Sequence, residues 1–229
     1  MSRIMSENFS PHNFRSHVFS TLASLKYGVV SATKNFPPIK NKKGEKAQLR
    51  AITINDIGND RLIHAFAQWR DRAQDFFPSQ FTVTFEGTKS WLENQVIKNF
   101  DRILFLVSSE RGIPVGHLGL YRFDWKKKSC EIDNVIRGRD DLLAGIMTPA
   151  THQVGAWALR TLGVKTLYLR VLADNQRAVD LYERCGYRGV KKIPLRKEVA
   201  NGMVQWVEDP DLKQAERYFL LMRFEKNKK

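Results

Sequence analysis

The chain has 229 residues, 42% hydrophobic and 11% aromatic, enough for one substantial core. Its longest apolar runs, such as Ile103 to Val107, are too short to cross a bilayer. Two cysteines, Cys130 and Cys185, suit neither a disulfide framework nor a zinc cluster and point to a reducing cytoplasm.

The formal net charge of +14 admits a nucleic acid, a membrane surface or a polyanionic small molecule as partner. Its distribution disfavours nucleic acid. Residues 1–47 carry eight Lys/Arg against Glu7 and Glu45, and another basic group sits at Lys226, Lys228 and Lys229. Charge gathered in tails and turns is not the basic face with interleaved aromatics that a nucleic-acid surface needs.

In chain order, residues 1–47 mix Ser, Asn, Lys and scattered aromatics, and Phe36-Pro37-Pro38 before Lys40 to Lys46 reads as a linker, so this stretch is expected to be a basic N-terminal extension. Regular patterning begins near Gln48. Leu49 to Thr53 predicts a strand, and Asp60 to Phe77 a helix with Leu62, Phe66, Trp69 and Ala73 on one face. Thr88 to Ile97 predicts a second helix. Three strands follow: Ile103 to Ser108, Val115 to Tyr121 and Cys130 to Ile136, joined by turns at Glu110-Arg111-Gly112 and Lys126-Lys127-Lys128. Met147, Ala150, Val154, Trp157 and Ala158 then keep helical spacing, with Pro149 tolerated in the first turn and Gly163 beyond the end. Thr166 to Leu172 alternates as a strand. Asp174 or Asn175 caps the next helix, along which Ala178, Leu181, Tyr182 and Cys185 share a side before Gly186. Arg188 to Ile193 and Tyr218 to Phe224 are the last strands, around an insertion from Pro194 to Glu216.

This order, β-α-α-β-β-β-α-β-α-β-β, predicts an α+β domain over 48–229: a mixed central sheet of about seven strands flanked by four helices. The helix after Cys130–Ile136 makes that strand and Thr166–Leu172 a parallel βαβ pair.

The segment Tyr168 to Tyr187, YLRVLADNQRAVDLYERCGY, resembles the fifth strand and fourth helix of the GNAT superfamily of acetyl-CoA-dependent N-acetyltransferases. The likeness runs from about Gln48 to Phe224 and is densest over Val135 to Tyr187. It implies that Asn175 contacts the cofactor arm, that Ala178 leaves room for pantetheine, and that Tyr182 faces the thioester sulfur. The residues are chemically consistent with this: Asn175 and Tyr182 lie about two helical turns apart, and a phenol with pKa near ~10 can donate a proton to a leaving thiolate.

The resemblance also implies a pyrophosphate loop at a helix start, where free amides and the helix dipole meet the anion. Its best register is Leu142, Leu143, Ala144, Gly145, Ile146 and Met147, followed by Thr148, with Leu142 and Met147 departing from the signature Gln/Arg-x-x-Gly-x-Gly/Ala. Arg137 or Arg139 would supply the missing charge. Family strands 4 and 5 splay apart around the acyl arm, which would place Val135 on one side and Leu172 on the other. Glu131 and Asp133 are candidates to take the amine proton, the alternative being an ion pair with Arg122 or Lys128. His117 is a second candidate, and Cys185 is expected to pack.

The expected activity is transfer of acetyl from acetyl-CoA, a co-substrate, to a primary amine by direct attack, without a metal. Acceptor choice falls to Phe76-Phe77-Pro78 with Phe81, and to the insertion carrying Trp206, Glu208, Asp209 and Asp211. An amino-sugar nucleotide is the preferred acceptor; a protein N-terminus or ribosomal protein, and a non-catalytic acyl-CoA sensor, are the alternatives. This reading needs a small-molecule amine as partner, no nucleic acid and no membrane span, and leaves a homodimer open.

Overall fold

A computed structural model describes residues 11–31 and 36–225. Its elements are α1 (Pro11–Lys26), β1 (Ile39–Lys40), β2 (Lys46–Ala51), α2 (Asp60–Arg72), β3 (Ser79–Gln80) and α3 (Phe85–Trp91), which runs into a π-helical turn over Leu92–Ile97. Then come β4 (Ile103–Ser109), β5 (Pro114–Asp124), β6 (Ser129–Arg137), α4 (Met147–Arg160), β7 (Thr166–Leu172), α5 (Gln176–Arg184), β8 (Tyr187–Ala200), β9 (Met203–Glu208) and β10 (Arg217–Phe224).

The strands form a single mixed sheet in the order β1-β2-β4-β5-β6-β7-β10-β8-β9-β3. The α+β class stands, with ten strands rather than about seven and five helices rather than four among the described residues. The additions have local causes. β1 and β3 are two-residue strands with no room for an alternating pattern. The expected insertion instead continues β8 through Pro194 to Ala200 and returns as β9.

The bounds of α2 and the start of α3 have local causes. The Asn59 side chain accepts from the Leu62 amide to start α2, and Thr84 accepts from Gly87 to start α3. α2 ends at Arg72, short of the Phe77 that periodicity suggested, because the chain tightens into a 3₁₀ turn at Gln74–Phe76.

The largest difference lies in the basic extension. Rather than a linker throughout, it contains α1, whose Phe14, Val18, Leu22 and Leu25 are buried in the same core as α4 and the sheet. Phe19 meets Trp125 edge-on at 5.1 Å, and Phe36 packs against Phe105 and Trp157. At the end of α1, the buried Lys26 donates from Nζ to the Asn99 carbonyl at 2.6 Å, and burial lowers its pKa to about 7. The Lys226, Lys228 and Lys229 cluster lies outside the described residues.

Both cysteines are buried and free. Among the described residues no helix is long and apolar enough to cross a membrane, and no group of His, Cys, Asp and Glu could hold a metal ion.

Candidate active site

β6 and β7 are parallel neighbours but pair only at Ser129–Thr166, Cys130–Leu167 and Glu131–Tyr168. Beyond Glu131 they part, while β7 continues its ladder with β10 through Leu172. The cause is visible on the other side of β6. The register with β5 moves from His117–Ile136 to Gly119–Asp133, so Asn134 and Val135 stand against the single Leu118. Asn134 takes a left-handed φ of 49° to make this bulge, which bends the strand away from β7. The strand edge around Val135 thus lines a gap, with Leu172 on its far border.

His117 holds the bulge in place. It is buried between the rings of Phe66 and Trp69, and its Nδ1 lies 2.8 Å from the Asn134 carbonyl, to which it donates as the neutral ring. Burial lowers its pKa to about 4, so it is a structural pin and a poor base at neutral pH. The unfolded chain binds this proton from about 6.5 downward and the folded one only near 4, so stability should fall as pH drops across that window. Melting temperatures from pH 7 to 4 would check this, and His117→Gln, which retains a donor, should flatten the His117 part of the slope.

Tyr182 is buried on α5 and meets Tyr187 edge-on at 6.3 Å. Burial pushes its phenol well above the ordinary value, and Cys185 and then Asp133 push the same way. The phenol therefore keeps its proton, with the Asp133 carboxylate within electrostatic reach. Asn175 caps α5, its Oδ1 accepting from the Ala178 amide at 3.2 Å. Ala178 is half-buried one turn along. Cys185 lies against the Thr148 carbonyl, and burial raises its thiol to about 11, which fits packing rather than attack.

The two carboxylates of β6 are both ion-paired. Glu131 binds Arg170 of β7 and lies 4.0 Å from Arg122; burial raises its pKa, against the pull of Arg170 and Arg122. Asp133 binds Arg102 at 2.7 Å and accepts from Asn134 Nδ2 at 3.0 Å.

The turn between β6 and α4 holds the residues expected to meet the pyrophosphate. Leu143 and Gly145 both adopt left-handed φ, 52° and 76°, and strain of this kind in a β-branched-free but bulky Leu marks a constrained loop. Ala144 and Gly145 are exposed, Thr148 is half-buried, and Ile146 and Met147 are buried, so the side chains of those last two pack into the core. Arg137 does not face outward: its Nε donates to the Arg139 carbonyl, and an Nη donates to the carbonyls of Asp140 and Leu142. It shapes the loop from inside. Arg139 is paired with Asp141. Gly138, at the base of the loop, lies so close to α2 that a Cβ there would stand 1.9 Å from the Trp69 ring.

The two regions expected to choose the acceptor come together as one wall. β3, just after Phe76-Phe77-Pro78, pairs with β9, and the Trp206 amide donates to the Pro78 carbonyl at 2.7 Å. Arg70 lies over Phe77 and Phe81, at 4.2 and 5.0 Å, and donates to the Ser79 carbonyl. Arg217 stacks on Trp206 and reaches the Asp75 carbonyl. Sequence reasoning missed the role of Arg170 and the partner of Glu208. Arg170 Nε lies 3.0 Å from Glu208 and Arg122 lies 3.5 Å from it, so the acids of the insertion do not form a free anionic cluster. Asp209 is likewise paired, with Arg196. The only sequence signal for Arg170 was a charge within an otherwise apolar strand.

Residues 47–188 match the family profile described as the acetyltransferase (GNAT) domain. No curated protein matches the sequence. Among solved structures, a spermidine N-acetyltransferase from Vibrio cholerae in complex with CoA and spermine aligns with a TM-score of 0.55 at 20% identity, over 76% of this chain and 95% of its own. A spermidine N-acetyltransferase chimera from Vibrio cholerae and hSSAT aligns with a TM-score of 0.58 at 19% identity, over 78% of this chain and 94% of its own. At these identities the structural likeness establishes the fold.

Proposed function

Because the chain belongs to the GNAT acetyltransferase family, and is thus an acyltransferase using acetyl-CoA, we propose that it acetylates a primary amine at the gap between β6 and β7. The observation that carries this reading is the parting of those strands at the bulge, just beyond Glu131. Acetyl-CoA supplies the acetyl group already activated as a thioester.

The chain's own residues then divide the work. The strand edge at Val135, together with Asn175 and Ala178, holds the arm. Ala144, Gly145, Ile146, Met147 and Thr148 present backbone to the pyrophosphate, in a loop that Arg137 keeps in shape. Tyr182 gives its proton to the departing sulfur. Glu131 takes the proton from the amine, its raised pKa giving it more basicity than an exposed carboxylate would have. Asp133, tied to Arg102, favours the protonated form of Tyr182.

The acceptor reading is an amine that also carries negative charge, of which an amino-sugar nucleotide is one example. A cavity of about 270 Å³ lies over β7, β8 and β10, lined by Arg170, Lys191, Lys192 and Glu208 with the apolar Ile193 and Leu221. With Arg170 paired to Glu131 and Glu208, the two lysines leave the cavity with an excess of positive charge, which would disfavour a polycation and attract a phosphate or carboxylate. A polyamine acceptor is the second reading, favoured by the named substrates of the solved neighbours. It would call for unneutralised carboxylates, whereas Glu131, Asp133 and Glu208 each face an arginine.

Thiol release measured with acetyl-CoA and an amino-sugar nucleotide, the corresponding uncharged amino sugar, and spermidine separates these readings. The anionic acceptor is expected to have the highest kcat/KM. A spermidine rate above the others would establish the polyamine reading, and tight CoA binding without turnover of any amine would make the chain a sensor.

A further inference from the structure

We propose that the basic hairpin between β1 and β2, Asn41 to Glu45, is part of the coenzyme A phosphate site: Asn41 sets the loop amide, and Lys42 and Lys43 bind the 3′-phosphate. This rests on the acetyl-CoA reading above and goes beyond it, since the hairpin lies outside the matched family region of residues 47–188.

Asn41 is the hub. It is buried although it sits in a turn of exposed residues. Its Oδ1 accepts from the amides of Lys43 and Glu45, both at 3.0 Å, and its Nδ2 donates to Glu45 at 2.6 Å. The same Nδ2 donates to the Ala144 carbonyl at 3.0 Å, 103 residues away in the α4-proximal loop. In a trans peptide the C=O and the following N–H point in opposite directions. By holding the Ala144 carbonyl toward the hairpin, Asn41 turns the Gly145 N–H away from it, toward the open side of a loop whose Leu143 and Gly145 are both left-handed. An amide pre-aimed in this way costs nothing to reorient when an anion arrives.

The charge balance of the loop gives the lysines their purpose. Arg139 is paired with Asp141 at 2.5 Å, Arg177 with Asp140 at 3.2 Å, and Arg137 lies 3.6 Å from Asp140 while serving the loop's own carbonyls. The loop's cations are therefore largely spent internally. Coenzyme A brings a pyrophosphate and a 3′-phosphate, more negative charge than this loop can meet. Lys42 and Lys43 are exposed, without an ion-pair partner among the described residues, and held by Asn41 beside the loop.

The test compares binding of coenzyme A and 3′-dephospho-coenzyme A to the full chain by isothermal titration calorimetry. Wild type is expected to prefer coenzyme A, and Lys42→Ala/Lys43→Ala to lose about 5- to 10-fold in affinity for it while binding the dephospho form as before. Asn41→Ala is expected to weaken both ligands alike, because it loosens the amide rather than the lysines. A double lysine variant that keeps the wild-type preference overturns the proposal; its exposed positions leave folding intact, which a melting curve confirms. Wild type that binds neither ligand overturns the acetyl-CoA reading itself, a result distinct from the first.

Discussion

Tyr182→Phe is expected to slow acetyl transfer by about 10²- to 10⁴-fold while leaving coenzyme A affinity and melting temperature nearly unchanged. The ring is buried and contacts Tyr187, and Phe preserves that contact and its volume. Only the hydroxyl is lost, and the hydroxyl is what the proposed chemistry uses. Burial raises the phenol far enough that it is fully protonated at any working pH, so it is a ready donor to a departing thiolate and never a base. Steady-state kcat with saturating acetyl-CoA, set beside calorimetric binding, separates the outcomes. Parallel loss of rate and affinity, or a large fall in melting temperature, would reduce Tyr182 to a core aromatic.

Phe14→Ala is expected to destabilise the fold by about 3–5 kcal/mol. Phe14 is fully buried, lies 6.1 Å from Trp125 and belongs to the core cluster shared by α1, α4 and the sheet. For a chain of this length that corresponds to a fall in melting temperature of roughly 6 °C or more. Ser16→Ala, on the exposed side of the same helix, should stay within about 0.5 kcal/mol and serves as the control. A Phe14→Ala protein that melts with wild type would show α1 to be a detachable accessory, as its composition first suggested.

The contrast between α1 and α5 shows what a sequence pattern can carry. In α5, the Asn175 cap, the shared face of Ala178, Tyr182 and Cys185, and the left-handed Gly186 all act within about twelve residues, so both the helix and its resemblance were legible. In α1 the buried positions 14, 18, 22 and 25 also follow helical spacing. They are diluted by Ser, His, Arg and Asn and are followed by a prolyl and lysine-rich stretch, so composition hid a face that makes sense only once Trp125 is brought beside it.

The candidate site divides in the same way. The identities of Tyr182, Glu131, Asp133 and Gly145, and the alternation that puts both carboxylates on one face of a strand, are local facts, and periodicity with capping sufficed to place them on their elements. Their chemistry was settled by groups far away in the chain. Arg170 reaches Glu131 from 39 residues away, Arg102 reaches Asp133 from 31, and Asn41 reaches Ala144 from 103. The bulge at Asn134 depends on His117 of a neighbouring strand, and the acceptor wall on a two-residue ladder between β3 and β9. Ion pairs, bulge register and edge pairing are long-range events whose energies depend on burial and approach. A one-dimensional pattern contains neither, which is why the elements and the fold class were readable from residue order while the pairing of the charges, the packed helix α1 and the shape of the gap were decided only when the chain closed on itself.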